Sequence, residues 1–239
     1  GLLPEDAPNF VSSLRELKAL HVEGLFTHFA SSDEADQSSA RRQLAKFENV
    51  LSALTAQGHR PPLIHAANSA AAIALPAARY DLVRTGIALY GLSPSPDVPC
   101  PPGFIPVLSW KARVTQVKTL PPGHGVSYGS DYVTTQAETV AVIPVGYGDG
   151  YRRVPNGGRY INEVLIHGQR AKVLGRICMD QFVIGVSHLS GIRAGDEVVL
   201  VGQQGKEVMS ADEVARRWGT INYEVVTGLL ARVPRVYRS

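Results

Sequence analysis

Thirteen residues, LSPSPDVPCPPGF at 92–104, hold five prolines. Proline lacks a backbone donor and fixes φ, so neither a helix interior nor a regular strand ladder runs through such a stretch. It predicts a linker with parts of different character on either side. Before it, over residues 1–91, helical and strand patterns alternate. Phe10, Val11, Leu14, Leu17 and Leu20 recur at helical spacing behind Glu5, Asp6 and Pro8. Val22 to His28 reads as a short buried strand. Ala40 to Gln57 is amphipathic through Leu44, Phe47, Val50, Leu51 and Leu54, and stops at Gly58 and the prolines at 61 and 62. Leu63 to His65 is a further strand, Asn68-Ser69 opens a short Ala-rich helix, and Tyr80 to Arg84 is a last strand. This βα order predicts a parallel sheet. Three such units in about ninety residues are too few for a closed eight-stranded barrel, which typically takes about 250 residues.

After the linker the pattern is β-rich: Val107 to Leu120, Thr139 to Val145, Tyr160 to Ile166, Ala171 to Leu174, Gln181 to Val186 and Glu197 to Val201. Asn156-Gly157-Gly158 and His167-Gly168 are turn candidates. Ser210 to Glu213 is a capping-box pattern opening a helix to about Trp218, and a second helix is expected from Asn222 to about Leu230. The expected division is 1–91, linker 92–104, and a mostly β domain 105–239.

Composition excludes several classes. Lys and Arg number 24 against 21 Asp and Glu, scattered along the chain, which gives no electrostatic footprint for nucleic acid. Cys100 and Cys178 are too few for a disulfide framework, and the seven histidines have no zinc-ligand spacing, so no metal is expected. No apolar run approaches the roughly twenty residues of a membrane span, and no signal peptide is seen. The expectation is a soluble cytoplasmic protein with no membrane partner.

The chemistry-bearing stretch is RYDLVRTGIALYG, Arg79 to Gly91. An apolar run ends on the cation Arg84, followed by Thr85-Gly86 and a helical turn from Ile87 to Tyr90. A strand end, a charge, a glycine and free N–H groups of a first helical turn are a plan for holding a phosphorylated ligand. Taken alone, the same residues describe an ordinary strand-to-helix turn, with Gly86 supplying φ > 0 and Arg84 in a surface ion pair.

The balance changes with FTHFASSDE (Phe26 to Glu34), HAANSAA (His65 to Ala71), VSYGSDY (Val126 to Tyr132), VGYGDGY (Val145 to Tyr151), GRICMDQ (Gly175 to Gln181) and INYEVVTGL (Ile221 to Leu229). With RTGIALYGL, these motifs in this order resemble the pyridoxal-phosphate-dependent alanine racemases, through nearly the whole chain. The resemblance implies α/β plus β architecture: the last βα units of a (β/α)8 barrel, then a mostly β C-terminal domain. It implies pyridoxal 5'-phosphate as cofactor, alanine as substrate, and D-alanine supply for bacterial peptidoglycan as the role. One departure is large. The family's cofactor-binding lysine, and an arginine that steadies the substrate, belong to an N-terminal segment outside this sequence. The six lysines here, at 18, 46, 111, 118, 172 and 206, match no such position. The chain alone is therefore expected to be inactive.

Residue by residue, the resemblance implies Arg84 facing the pyridine nitrogen, with Ser69, Gly86, Ile87 and Tyr223 on the phosphate. Tyr128 matches the second catalytic base, and Met179 a backbone N–H that contacts the substrate carboxylate. His28 and His65 match a hydrogen-bond network joining the tyrosine to Arg84. Asp33, Tyr147, Arg153, Asp180 and Ile221 fall on the route by which substrate enters. Gly148 stands where the family usually has alanine. A free tyrosine titrates at about 10, so a tyrosine working as a base at neutral pH needs cations close by. On its own, Tyr128 reads as a packing residue, Ser69 as an N-cap, Tyr223 as a half-buried helix aromatic, and His28 and His65 as satisfied core histidines. Cys178 has neither a base nor a helix start nearby to make it a nucleophile. The resemblance further implies a homodimer with shared active sites, in which Tyr128 and Met179 would serve the partner's cofactor and Arg84, Ser69 and Tyr223 their own. Two alternatives stay open, a broader amino-acid racemase of the same fold and a non-catalytic pyridoxal-phosphate-binding module.

Overall fold

The computed structural model describes residues 1–153 and 162–238. The chain divides into two compact units, Gly1–Val107 and Leu108–Ser239.

Unit 1 is built on three parallel strands in the order β1-β2-β3: Gly24–Phe26, Leu63–Asn68 and Leu82–Arg84. The long helix α2 (Ser38–Ala56) lays Leu44, Phe47 and Leu51 on Phe29, Ile64 and Ala66, forming the core of the unit. Helix α1 (Ala7–Leu14) adds Ala7 and Val11 against Val50 and Leu54. Helix α3 (Ser69–Ala74) starts directly at the end of β2. The helices leave part of the sheet open, with Phe26 and Leu82 in register on one face and Val83 on the other. Phe26, Leu82 and Val83 remain 61%, 40% and 40% exposed.

Several expectations need correction. The first helix stops at Leu14, because only Ala7 and Val11 find partners; Leu17 and Leu20 are exposed. Tyr80 is not in a strand. It takes φ 44°, and its ring meets Phe47 edge-on at 5.8 Å, so its apolar character serves the helix side of the sheet. Pairing begins only after Asp81, which clasps the Ile64 backbone through both its N–H and its carboxylate. Gly86 has φ −114°, so it is not there for a left-handed backbone. The Pro-rich stretch is ordered and folds back on unit 1. The Val107 N–H donates to Tyr90 O, and a Cβ on Gly91 (φ 70°) would sit 1.9 Å from Ile105 O.

Unit 2 is antiparallel, with the sheet order β13-β12-β9-β10-β11-β8-β5. The strands are β5 (Gln116–Leu120), β8 (Glu138–Ile143), β9 (Glu163–Ile166), β10 (Gln169–Leu174), β11 (Phe182–Gly185), β12 (Glu197–Gln204) and β13 (Glu207–Met209). The run expected from Val107 to Leu120 is two strands, since β4 (Trp110–Arg113) pairs with β12 whereas β5 pairs with β8. A small ribbon, β6 (Gly125–Val126) with β7 (Tyr132–Val133), projects separately. His167 and Gly168, at φ 49° and 68°, form the tight β9–β10 turn. The Asn156-Gly157-Gly158 turn and the start of the strand expected from Tyr160 lie outside the described residues. An aromatic cluster centres on Tyr151, which meets the rings of Trp110, Phe182 and Trp218 at 5.7, 4.9 and 5.2 Å.

Helix α4 (Ala211–Trp218) is capped by Ser210, whose hydroxyl accepts from Glu213 N–H. The reciprocal half of the expected box is absent because the Glu213 carboxylate is held by Arg170 and Arg217. Helix α5 (Asn222–Thr227) ends before Leu230, which is drawn away by its N–H bond to Asp149 O. Among the described residues no helix is long and apolar enough to cross a membrane.

Candidate active site

Strand β3 delivers Arg84 at the carboxyl end of the unit 1 sheet, where parallel sheets place their ligands. The guanidinium donates to four acceptors: His65 Nδ1 at 2.6 Å, Thr27 O at 3.0 Å, His28 Nδ1 at 3.2 Å and Ala66 O at 3.2 Å. Phe26 stacks on the His65 ring at 5.2 Å and receives the guanidinium 5.1 Å above its own ring. Arginine has donors only, so both histidines accept through Nδ1 and, when neutral, carry their proton on Nε2. Burial, and after it the charge of Arg84, lowers the pKa of His65 and favours that neutral form. Arg84 in turn has its pKa lowered by burial, yet stays charged at any working pH. The bland reading of Arg84 as a surface ion pair is therefore wrong: its partners are imidazoles and carbonyls.

Ser69 is buried in the first turn of α3. Its Oγ accepts from Gly86 N–H at 2.9 Å and from Ala88 N–H at 3.4 Å, which leaves its own proton for another acceptor. The helix cap is Asn68, whose Oδ1 accepts from Ala71 N–H, so Ser69 is not the N-cap. Around Gly86 a Cβ would meet no atom within 4 Å, and Ile87 N–H, at the first position of its turn, has no acceptor inside the helix. The Ser69 hydroxyl proton and the Ile87 N–H beside this open space fit a phosphate, whereas the Gly86 N–H, expected there too, is given to Ser69 Oγ. Gln43 fixes the loop that carries His28 by donating to Thr27 Oγ1 and His28 O. Asp33 is exposed in the same unit.

Unit 2 holds the remaining candidates. Tyr128 is 71% exposed on a one-turn 3-10 segment, Tyr128–Ser130, between β6 and β7. Its neighbour Tyr132 is a poor base: a hydrogen bond to Glu138 at 2.6 Å, and burial after it, push its pKa to about 12. Met179 is 53% exposed, and its N–H has no partner among the described residues. Its carbonyl accepts from Gly148 N–H at 2.8 Å, and Cys178 O accepts from Tyr147 N–H at 3.1 Å. The 146–150 and 175–181 loops are thus one piece. Arg232 staples them by donating to Asp149 and Asp180. At Gly148 a Cβ would lie 2.5 Å from Arg232 Nη2, so an alanine there moves that side chain. A cleft of about 390 Å³ is lined by Tyr147, Tyr151, Arg152, Arg153 and Trp218, among others. Ile221 is exposed just before α5, on which Tyr223 is half-buried. Arg232, Arg176 and Ser127 were missed by sequence reasoning, since each acts on residues far along the chain.

Comparison with known proteins follows this division. The alanine racemase N-terminal domain matches residues 1–94, and the alanine racemase C-terminal domain matches residues 107–237. The chain belongs to the alanine racemase family. It is similar to the alanine racemase of Desulfovibrio desulfuricans, 49% identical over 237 residues, which cover 99% of this chain and 62% of that protein. The Halothermothrix orenii racemase is 45% identical over 240 residues, covering 100% of this chain and 62% of the relative. Among solved structures, the Bacillus anthracis alanine racemase with bound L-Ala-P matches with a TM-score of 0.91 at 38% identity, covering 100% of this chain and 61% of that one. The Streptomyces lavendulae racemase gives 0.91 at 39% identity, covering 100% and 63%. The chain thus spans about three fifths of the length of the racemases it matches.

Proposed function

We propose that this chain forms the larger part of a cytoplasmic, pyridoxal-phosphate-dependent alanine racemase acting as a homodimer, with unit 1 as the last βα units of a (β/α)8 barrel. The Arg84 cluster carries the reading. A guanidinium fixed by His65 and His28 beside the Ser69 hydroxyl and the Ile87 N–H is a costly arrangement for a surface turn, and it suits the ring and phosphate of this cofactor. Ser69, Ile87 and Tyr223 would hold the phosphate, and Arg84 the pyridine nitrogen. Pyridoxal phosphate, when bound, supplies the electron sink that makes the alanine Cα–H acidic.

The protein's share is proton traffic. Arg84 keeps its own proton and donates a hydrogen bond, so it offers no acid to protonate an acceptor nitrogen facing it; a weaker sink favours simple reprotonation over side reactions. The Nε2–H groups that Arg84 imposes on His28 and His65 are donors able to steady a phenolate. Tyr128, as phenolate, removes the Cα proton from one face of alanine and, as phenol, returns one. A lysine serves the opposite face. None of the six lysines here matches the family position for that role, and Lys18 and Lys46, the lysines of unit 1, are exposed after α1 and on α2. Met179 N–H receives the substrate carboxylate. Tyr128 and Met179 serve the neighbouring subunit; the exposure of both in their own unit supports this.

The test is Tyr128→Phe in the holoenzyme, with the lysine-bearing segment supplied. Racemisation should fall roughly a hundredfold to ten-thousandfold. In deuterated solvent, Cα exchange from L-alanine should collapse while exchange from D-alanine persists through the lysine. Equal slowing for both enantiomers would sink the two-base reading. Mixing Tyr128→Phe subunits with subunits lacking the lysine should recover activity, since one of the two shared sites then inherits neither defect.

A further inference from the structure

Ser127, directly before Tyr128, takes φ 64° and ψ −173°, a conformation almost confined to glycine. Gly129 at 76° and Ser130 at 48° follow, so three of the four residues around Tyr128 have positive φ. A turn like this persists only where its surroundings over-determine it. The contacts here are specific. Ser127 Oγ donates to Arg176 O at 2.6 Å and, its proton spent there, accepts the Cys178 thiol at 3.3 Å. The Arg176 side chain returns to the turn and donates twice to the Asp131 carboxylate, at 2.6 and 2.9 Å. Gly175 has φ 67°, and a Cβ there would lie 2.4 Å from Val126 O and 3.2 Å from Ser127 Cβ. The 175–178 segment is therefore pressed directly against the backbone that carries the tyrosine.

We propose that Ser127 is a positioning residue: its hydroxyl, bonded to Arg176 O, locks the strained backbone that aims Tyr128 at the substrate Cα. This deepens the racemase reading and rests on it. The lock matters because a proton-transfer base displaced by about 1 Å loses on the order of a hundredfold in rate. It acts on Tyr128 selectively. The Met179 segment has separate anchors in Tyr147 N–H to Cys178 O and Gly148 N–H to Met179 O. Loss of the Ser127 hydroxyl therefore frees the base and leaves the carboxylate donor in place.

Two variants separate positioning from general structural support. Ser127→Ala removes the hydroxyl and keeps the backbone strain. Ser127→Gly removes both. In the holoenzyme, each should lower kcat roughly tenfold to a hundredfold, with KM for alanine changed less than about threefold. Each should show lopsided exchange in deuterated solvent, with loss from L-alanine exceeding loss from D-alanine. Ser127→Gly should melt no lower than the parent protein while showing the same lopsided loss. In a Tyr128→Phe background, Ser127→Ala should add almost nothing, because the group it positions is gone. Equal loss for both enantiomers, a rise in KM alone, unchanged kcat, or full additivity with Tyr128→Phe would each overturn the proposal. If Tyr128→Phe alone is lopsided and the Ser127 variants are not, only the positioning role falls. If Tyr128→Phe is not lopsided, the two-base reading falls and the Ser127 role with it.

Discussion

Arg84 shows what a single residue can dictate to its neighbours. A group that only donates, placed between two imidazoles, settles which ring nitrogen of each must accept. A carboxylate in its place would reverse the two bonds to the imidazoles and lose those to the Thr27 and Ala66 carbonyls, which cannot donate. In the holoenzyme, Arg84→Glu should slow racemisation at least about tenfold, the size of one lost hydrogen bond to a charged group. It should also raise the yield of pyruvate from alanine, measured by a coupled reduction, because a carboxylate lets the nitrogen opposite it take a proton. No rise in pyruvate would remove Arg84 from that position. The motif order named Arg84, His28 and His65, whose side chains meet, and Ser69, whose hydroxyl takes the Gly86 N–H two residues after Arg84. Residues whose role depends on distant chain were invisible. Arg232 reaches Asp149 across 83 positions and Arg176 reaches Asp131 across 45, and no local spacing encodes either contact.

Elements were legible where a period or a turn signal ran unopposed. Helix α2 kept its amphipathic stripe, and His167-Gly168 made the expected turn. Boundaries failed where tertiary contacts outbid local pattern, as at Tyr80, drawn onto Phe47, and at Leu230, drawn onto Asp149. The start of α4 is a third case, since Glu213 serves a charge network joining β9, β10, β13 and the helix. Arg170 and Arg217 both hold it, and both also reach Glu163. Burial alone would raise the Glu213 pKa, but hydrogen bonds from the two arginines outweigh it and hold the carboxyl below its usual range. A depressed folded pKa adds stability above the unfolded carboxylate value, about 4.3, and that stability is lost as pH falls through the folded value. Glu213→Gln should therefore destabilise the protein by about 1.5–3 kcal/mol at pH 7. The deficit should shrink when urea unfolding is repeated at pH 4 and lower. A deficit independent of pH would mean that the network contributes through packing and not through charge.

For the molecule as a whole, βα alternation fixes parallel order because each helix returns the chain to the same edge in the same direction. It says nothing about what covers the rest of that sheet, where Phe26 and Leu82 are exposed on one face and Val83 on the other, at the β3 edge. An apolar sheet face beside an unpaired edge favours association. Residues 1–239 produced alone should therefore self-associate in light scattering or gel filtration; a monomer with cooperative unfolding would contradict a sheet that needs covering. The aromatic cluster of unit 2 offers a way to watch the two units apart. The chain has two tryptophans, Trp110 and Trp218, and both lie against Tyr151. Intrinsic fluorescence excited at the indoles is thus a reporter of unit 2 alone, blind to unit 1, while far-ultraviolet ellipticity is weighted toward the long α2 helix of unit 1. Titrated with urea, the two signals should trace separate curves if each unit melts on its own, and a single curve if they melt together.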